Sequence, residues 1–249
     1  MLVDVHCHLN SEEFDKNRDE VIKRAEKLNM TIVDSGTTLK ENKKSLELSK
    51  KYKIVKSSLG LYPSHAIKLN ERQLNQELDF IKKNKNNIVA VGEIGLDKNY
   101  EGHNIKKQIK SFEKVLSLAE KINKPVVIHS RKAEKECIDI LETFKTKNIM
   151  HCFTGNFKLV KRIQDNNYFF SIPTNIVRLL HFQKIVEQTS TSQLLTETDS
   201  PYLSPYKEKR NEPSFTVETI KQISKIKNLE QEEVKKLIYM NFQKVFLKK

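Results

Sequence analysis

Cysteine is scarce in this 249-residue chain. Cys7, Cys137 and Cys152 are far apart and odd in number, so they form neither a disulfide framework nor a Cys-x-x-Cys zinc motif. Glycine is scarce too, with six residues, and none builds the Gly-rich turn that cradles a dinucleotide. No stretch approaches the roughly 18 apolar residues of a membrane span. The first apolar run is short and interrupted by Asp4 and His6, unlike a signal peptide. No linker, low-complexity tract or short repeat divides the chain. These absences predict a soluble cytoplasmic protein with one domain over residues 1–249, and nothing calls for a membrane or an obligate protein partner.

What is abundant is positive charge. Lysine and arginine outnumber the acids to give a net charge of +13 and a pI near 9.4. Such a balance attracts polyanions. Runs such as KKNKNN (82–87) and LKENKK (39–44) nevertheless fall on outer helix faces and helix ends, where solvated surface accounts for them. Charge therefore permits a nucleic-acid partner without establishing one.

Short β-rich runs alternate with longer helical stretches. Strands are predicted at LVDVHC (2–7), TIVDSG (31–36), IVKSSLG (54–60), NIVAVGEIG (87–95), PVVIHS (125–130), NIMHCF (148–153), YFFSI (168–172) and QLLTETD (193–199). Most are continuous apolar runs, as expected of strands covered on both faces. Between them, NRDEVIKRAEKLN (17–29), NIKKQIKSFEKVLSLAEKIN (104–123) and EKECIDILETFKTK (134–147) carry apolar residues at helical spacing. Eight such units, closing in a helical 213–247 region, predict an α/β fold of the (β/α)₈ barrel type. A doubly wound open sheet is the alternative. The seventh unit, 171–192, contains Pro173 and has the least certain boundaries.

Parallel α/β folds gather chemistry at the carboxyl ends of their strands. There the sequence places His6 and His8, Glu93, His129, His151 and Asp199. Residues i and i+2 share a strand face, so His6 and His8 look inward while Cys7 looks out. Adjacent strands lie about 4.7–4.9 Å apart, close enough for imidazole and carboxylate to share one or two divalent cations. The mixed nitrogen and oxygen set suits Mg²⁺, Mn²⁺ or Zn²⁺. Each residue alone has an ordinary reading: roughly 0.2 His-x-His pairs arise by chance in such a chain, and Asp199 before Ser-Pro can simply cap a turn. Coincidence outweighs these readings, because four of the seven histidines end separately predicted strands.

Taken in order, DVHCHLN, VGEIGLD, VVIHSR, HCFTGN, TETDSPYLSP and KRNEP resemble the TatD family of metal-dependent deoxyribonucleases, within the amidohydrolase-type barrels. The resemblance implies metal ligation by His6, His8, Glu93, His129, His151 and Asp199, with Glu93 bridging two divalent ions. It implies 3′-to-5′ exonuclease digestion of DNA, preferring single strands or 3′ ends. GLYPSHA (60–66) resembles a histidine-bearing family segment, with Tyr62 where many members have His and His65 at the second histidine. GLDKNY departs from the commoner GLDY by placing Lys98 after the aspartate, where it could meet a phosphate.

Two divalent ions ease phosphodiester hydrolysis by acidifying a bound water and neutralising phosphate charge. Asp199 and Glu93 are the catalytic candidates, with Glu197 expected on the same strand face as Asp199, as a proton acceptor or a supporting hydrogen-bond partner. His65, Arg131, Asn156, Tyr202, Arg210 and Asn211 are the substrate-binding candidates, with Tyr62 or Tyr202 available to stack on a terminal base. Two readings compete. The same site could hydrolyse a carbonyl ester, as in D-aminoacyl-tRNA deacylases or lactonases. A different class is a nucleic-acid-binding protein without turnover, for which a broken ligand set would be the sign.

Overall fold

The strand runs are largely apolar because both of their faces are covered. In the computed structural model, which describes residues 1–100 and 102–247, every residue of β1 (Leu2–Cys7) is buried, and all of β2 (Met30–Gly36) except Thr31. They are followed by β3 (Val55–Leu61), β4 (Ile88–Asp97), β5 (Val126–Arg131), β6 (Asn148–His151), β7 (Phe169–Ile172) and β8 (Leu194–Thr196). Each pairs in parallel with its sequence neighbours, in the order β1 to β8. The helices between them are α1 (Arg18–Lys27), α2 (Leu39–Lys51), α3 (Pro63–Ala66), α4 (Glu71–Lys83), α5 (Ile105–Lys121), α6 (Glu134–Leu141), α7 (Phe157–Asp165) and α8 (Leu180–Gln188). After β8 come α9 (Thr216–Lys227) and α10 (Gln231–Phe242), followed by a last helical turn at Gln243–Leu247. Helix α5 shows the packing rule: Phe112, Val115, Leu116 and Ala119 recur at three and four and are buried.

The result is a (β/α)₈ barrel whose last seam is closed differently from the rest. Between β8 and β1, Thr196 Oγ1 donates to the Val3 carbonyl at 2.6 Å. The Asp4 carboxylate accepts from Thr198 through its backbone N–H at 3.0 Å and its hydroxyl at 2.5 Å. Beyond it, Asp199 N–H donates to the His6 carbonyl and His8 N–H to the Ser200 carbonyl. The two chain segments that carry His6, His8 and Asp199 are thus stitched directly to each other.

Two strands carry an extra residue where the site needs one. On β1, Asp4 pairs with Ile32 but Cys7 pairs with Asp34, so three steps match two. On β4, Val91 and Ile94 pair with Leu59 and Leu61 on one side and with Val126 and Ile128 on the other. Such bulges re-aim side chains, and the one on β4 falls at Glu93. Glycine makes it fit: a Cβ on Gly60 would lie 2.2 Å from Glu93 N, and one on Gly95 (φ +147°) 1.9 Å from the His129 carbonyl oxygen.

Several boundaries differ from expectation, and three of the differences have a clear physical reason. Strand β6 stops at His151 rather than Phe153, because Cys152 turns to a left-handed φ of 41°. Strand β8 stops at Thr196 rather than Asp199, because Thr198 bonds to Asp4 instead of a ladder carbonyl. Helix α6 stops at Leu141 rather than 147, where Thr143 and Phe144 tighten onto carbonyls three residues back. In the seventh unit Pro173 leads a short helical turn (Thr174–Val177) before α8.

Candidate metal centre

Six side chains from five strands and the segments that directly follow them meet at one cleft of about 600 Å³, five of them lining it and His6 fully buried against Glu93 and Asp199. His6 Nε2 lies 3.5 Å from both Glu93 Oε2 and Asp199 Oδ1. His8 Nε2 lies 3.6 and 3.4 Å from the same two oxygens. A cation bound at 2.0–2.2 Å in a tetrahedral shell keeps its ligand atoms about 3.3–3.6 Å apart, which these four separations match, and the ligand atoms of His6, His8 and Asp199 all lie within 4.8 Å of one another. The other Glu93 oxygen, Oε1, faces His129 Nδ1 at 2.7 Å and His151 Nε2 at 3.8 Å. Glu93 therefore stands between two groups of donors.

Outer contacts decide which nitrogen of each ring is free. His8 Nδ1 faces the Ser35 carbonyl at 3.0 Å, so it carries the proton and Nε2 offers its lone pair. His151 Nδ1 donates to Glu197 Oε2 at 2.9 Å, again leaving Nε2. On His129 the roles reverse: Nε2 faces Asp97 Oδ2 at 3.1 Å, which leaves Nδ1 toward Glu93. His6 Nδ1 contacts Ser35 Oγ at 3.0 Å, while its Nε2 is buried and has no hydrogen-bond partner among the described residues. A fully buried ring nitrogen without a hydrogen bond is costly, and a cation held among these donors would satisfy it. The residues fit such a group.

The electrostatics follow from the crowding. Burial opposes a charged His6, yet Asp199 and Glu93 outweigh it and hold its pKa well above the ordinary histidine value. Burial likewise opposes charge on His129, but Asp97 and Glu93 raise it to about 9. Glu93 and Asp199 shift the other way: burial would raise them, and the surrounding imidazoles hold both well below the usual carboxylate range. Cys152 also lines the cleft, but burial, reinforced by Glu197 and Asp199, pushes its thiol up, so it offers no thiolate.

The polar residues expected to meet substrate divide sharply. Arg131 and Tyr202 line the cleft and are exposed, and Tyr62 lines it half-buried. The other four do not line it. His65 Nε2 is paired with Glu77 at 2.7 Å. Asn156 caps α7, accepting from the N–H groups of Lys158 and Leu159. Arg210 stacks on Phe14 and bonds to the Glu13 carbonyl and Asn17. Asn211 is buried and donates to Thr174, Thr198 and Tyr202, which pins the loop after β8. Lys98 pairs with Glu136 instead of facing the cleft.

Glu197 needs a correction of geometry. With β8 ending at Thr196 and Asp199 at a left-handed φ of 54°, the two carboxylates do not share a strand face. Glu197 is fully buried, its oxygens taken by His151, the Cys152 N–H at 2.9 Å and the Ser171 hydroxyl at 2.5 Å. It orients a ring rather than reaching the cleft. Sequence reasoning missed Asp97, Asp4 and Ser35 altogether. The first two were visible as acids inside the DVHCH and GLD motifs, whereas Ser35 carried no signal.

The comparisons bear on the family and the fold. The family model described as TatD related DNase matches residues 3–247. An uncharacterized metal-dependent hydrolase of Methanocaldococcus jannaschii is 43% identical over 244 residues, 98% of this chain and 96% of that protein. Homo sapiens deoxyribonuclease TATDN3 is 33% identical over 260 residues, 99% of this chain and 95% of that protein. The crystal structure of the Escherichia coli TatD homolog YjjV superposes with a TM-score of 0.91 at 21% identity, covering 100% and 98% of the two chains, and so shares the fold. With its family matched across nearly its whole length, this chain belongs to the TatD-related DNases and is a metal-dependent hydrolase.

Proposed function

We propose that this chain is a two-cation phosphodiesterase that removes nucleotides from the 3′ end of single-stranded DNA. One observation carries the reading: four imidazoles and two carboxylates converge on one cleft floor, with a buried His6 nitrogen left unpaired. Divalent cations, with Mg²⁺, Mn²⁺ and Zn²⁺ all suited to the donor set, acidify water and neutralise phosphate oxygens when bound. His6, His8 and Asp199 would hold one, His129 and His151 would hold the other, and Glu93 would serve both. Both carboxylates line the cleft and Asp199 is the more exposed, at 14% against 4% for Glu93. It accepts the proton that the attacking water gives up. Glu197 keeps His151 in the tautomer that leaves Nε2 free.

Arg131 meets the phosphate with its forked guanidinium, and Tyr202 stacks on the terminal base, a contact worth about 1–3 kcal/mol. A cleft of about 600 Å³ is sized for one small ligand, which favours a strand end over the middle of a duplex. The deoxyribonuclease name of the human relative supports DNA as the polymer. The test is to follow a 5′-labelled single-stranded oligonucleotide with Mg²⁺ or Mn²⁺, with and without chelator. Stepwise shortening from the 3′ end, lost with chelator and in His129→Ala, is expected. Turnover of an aminoacyl-tRNA or a lactone without shortening of the oligonucleotide would replace the nuclease reading.

A further inference from the structure

The His129 side of the cleft depends on a contact that this reading leaves unused. His129 can offer Nδ1 to the floor only while Nε2 is held elsewhere, and Nε2 is held twice. Asp97 Oδ2 lies 3.1 Å away and the Tyr62 hydroxyl 3.3 Å away. That hydroxyl also donates to Asp97 Oδ2 at 3.3 Å, so phenol, carboxylate and imidazole close a triangle. The phenol ring rests on the imidazole with centroids 4.9 Å apart.

Asp97 is fixed independently. It accepts the Asn99 N–H at 2.6 Å, and Gln108 clasps its backbone through two bonds of 2.8 Å. Tyr62 is consequently the member of the triangle that holds the ring without being one of the acids. His6 and His8 take their orientation from Ser35 and have no bond to Tyr62.

We propose that Tyr62 is a positioning residue for the His129 half of the site: its hydroxyl fixes the imidazole so that affinity for the second cation, and not the first, depends on it. The proposal rests on the two-cation reading above.

The test is a Mn²⁺ titration of wild type, Tyr62→Phe and Asp97→Asn, counting free ion by electron paramagnetic resonance. Two bound ions per wild-type chain are expected. Tyr62→Phe keeps the ring and removes only the oxygen. It should hold the first constant within about twofold and weaken the second about tenfold, the low end of the ~10–100-fold range for outer partners of metal ligands. Asp97→Asn should move the second constant further, toward ~100-fold. Two ions in wild type with an unchanged second constant in Tyr62→Phe overturn the proposal alone. Equal weakening of both ions also overturns it, because it reports a loosened fold. A single ion in wild type removes the two-cation reading and this proposal together.

Discussion

The floor of the cleft and its rim follow opposite building rules. On the floor, His6, Glu93 and His151 are almost sealed from solvent, and each is aimed by a second row of residues: Ser35, the β4 bulge beside Gly60, and Glu197. On the rim, Arg131 and Tyr202 are exposed and bonded to little. The floor is preorganised for small, highly charged ligands, whose geometry is invariant. The rim is free to adapt to a polymer whose bases differ. The contrast also explains the strain near the floor, where Cys152 and Asp199 both take left-handed backbone, a conformation that costs about 1–3 kcal/mol and collects at functional sites.

The contrast is easiest to break at its centre. Glu93→Gln keeps the volume but removes the charge that faces four imidazoles. Metal content by mass spectrometry and turnover should both fall by more than the ~100-fold that marks the upper end for outer partners. Retention of both would mean that the carboxylate is not central. Glu197→Gln should sit one rank lower, at ~10–100-fold in metal affinity, because it misdirects His151 without removing a ligand. An effect on turnover with metal uptake unchanged would instead assign Glu197 a direct chemical part.

Legibility in the sequence follows the same division. The barrel was readable because its strands are covered on both faces and so carry apolar runs, as Val126, Val127 and Ile128 of β5 illustrate. The six floor residues were readable because strand ends in a parallel barrel converge, whatever the loops do. The rim was not readable, since a polar loop residue looks the same whether it binds a phosphate or closes a turn. Asn211 and Arg210 illustrate this: both sit in the KRNEP segment, yet one pins the loop after β8 and the other stacks on Phe14. Glu197 was misplaced because the sequence of TETD reads as extended to its end, while the Asp4–Thr198 bonds stop the strand at Thr196.

Protons compete for the same floor, and the sign can be worked out. His129 is raised from 6.5 to about 9 in the metal-free chain, so it holds a proton that a cation must displace. The depressed carboxylates are already ionised and add nothing in this window. Metal affinity should rise about tenfold per pH unit for each proton displaced, from neutral pH up to about 9. Calorimetry in buffers of different ionisation enthalpy should register proton release. The stabilising charge on His129 is fully present below the ordinary pKa and lost as pH climbs through about 9. The chelated protein should therefore lose thermal stability over that interval, and the loaded protein should not. Parallel curves would place the proton elsewhere.

On the rim the effects shrink. Arg131→Ala should weaken binding of a short single-stranded oligonucleotide and flatten its salt dependence by about 0.7 in log–log slope, the share of one phosphate contact on a single strand. Metal uptake should not change. An unaltered slope would take Arg131 out of phosphate recognition.

Asn156→Ala is the smallest change and the sharpest probe of where rim gives way to scaffold. Its side chain caps α7 through two backbone N–H groups, and loss of such a cap costs about 1 kcal/mol. A lowered melting temperature with oligonucleotide affinity and metal content intact is the expected result. If affinity falls as well, by an amount that flattens the salt slope as Arg131→Ala does, then the amino end of α7 also contacts the polymer. The exposed helix N–H groups freed at a phosphate would then account for it, and the boundary between adaptable rim and fixed scaffold would move outward from β5 to include β6.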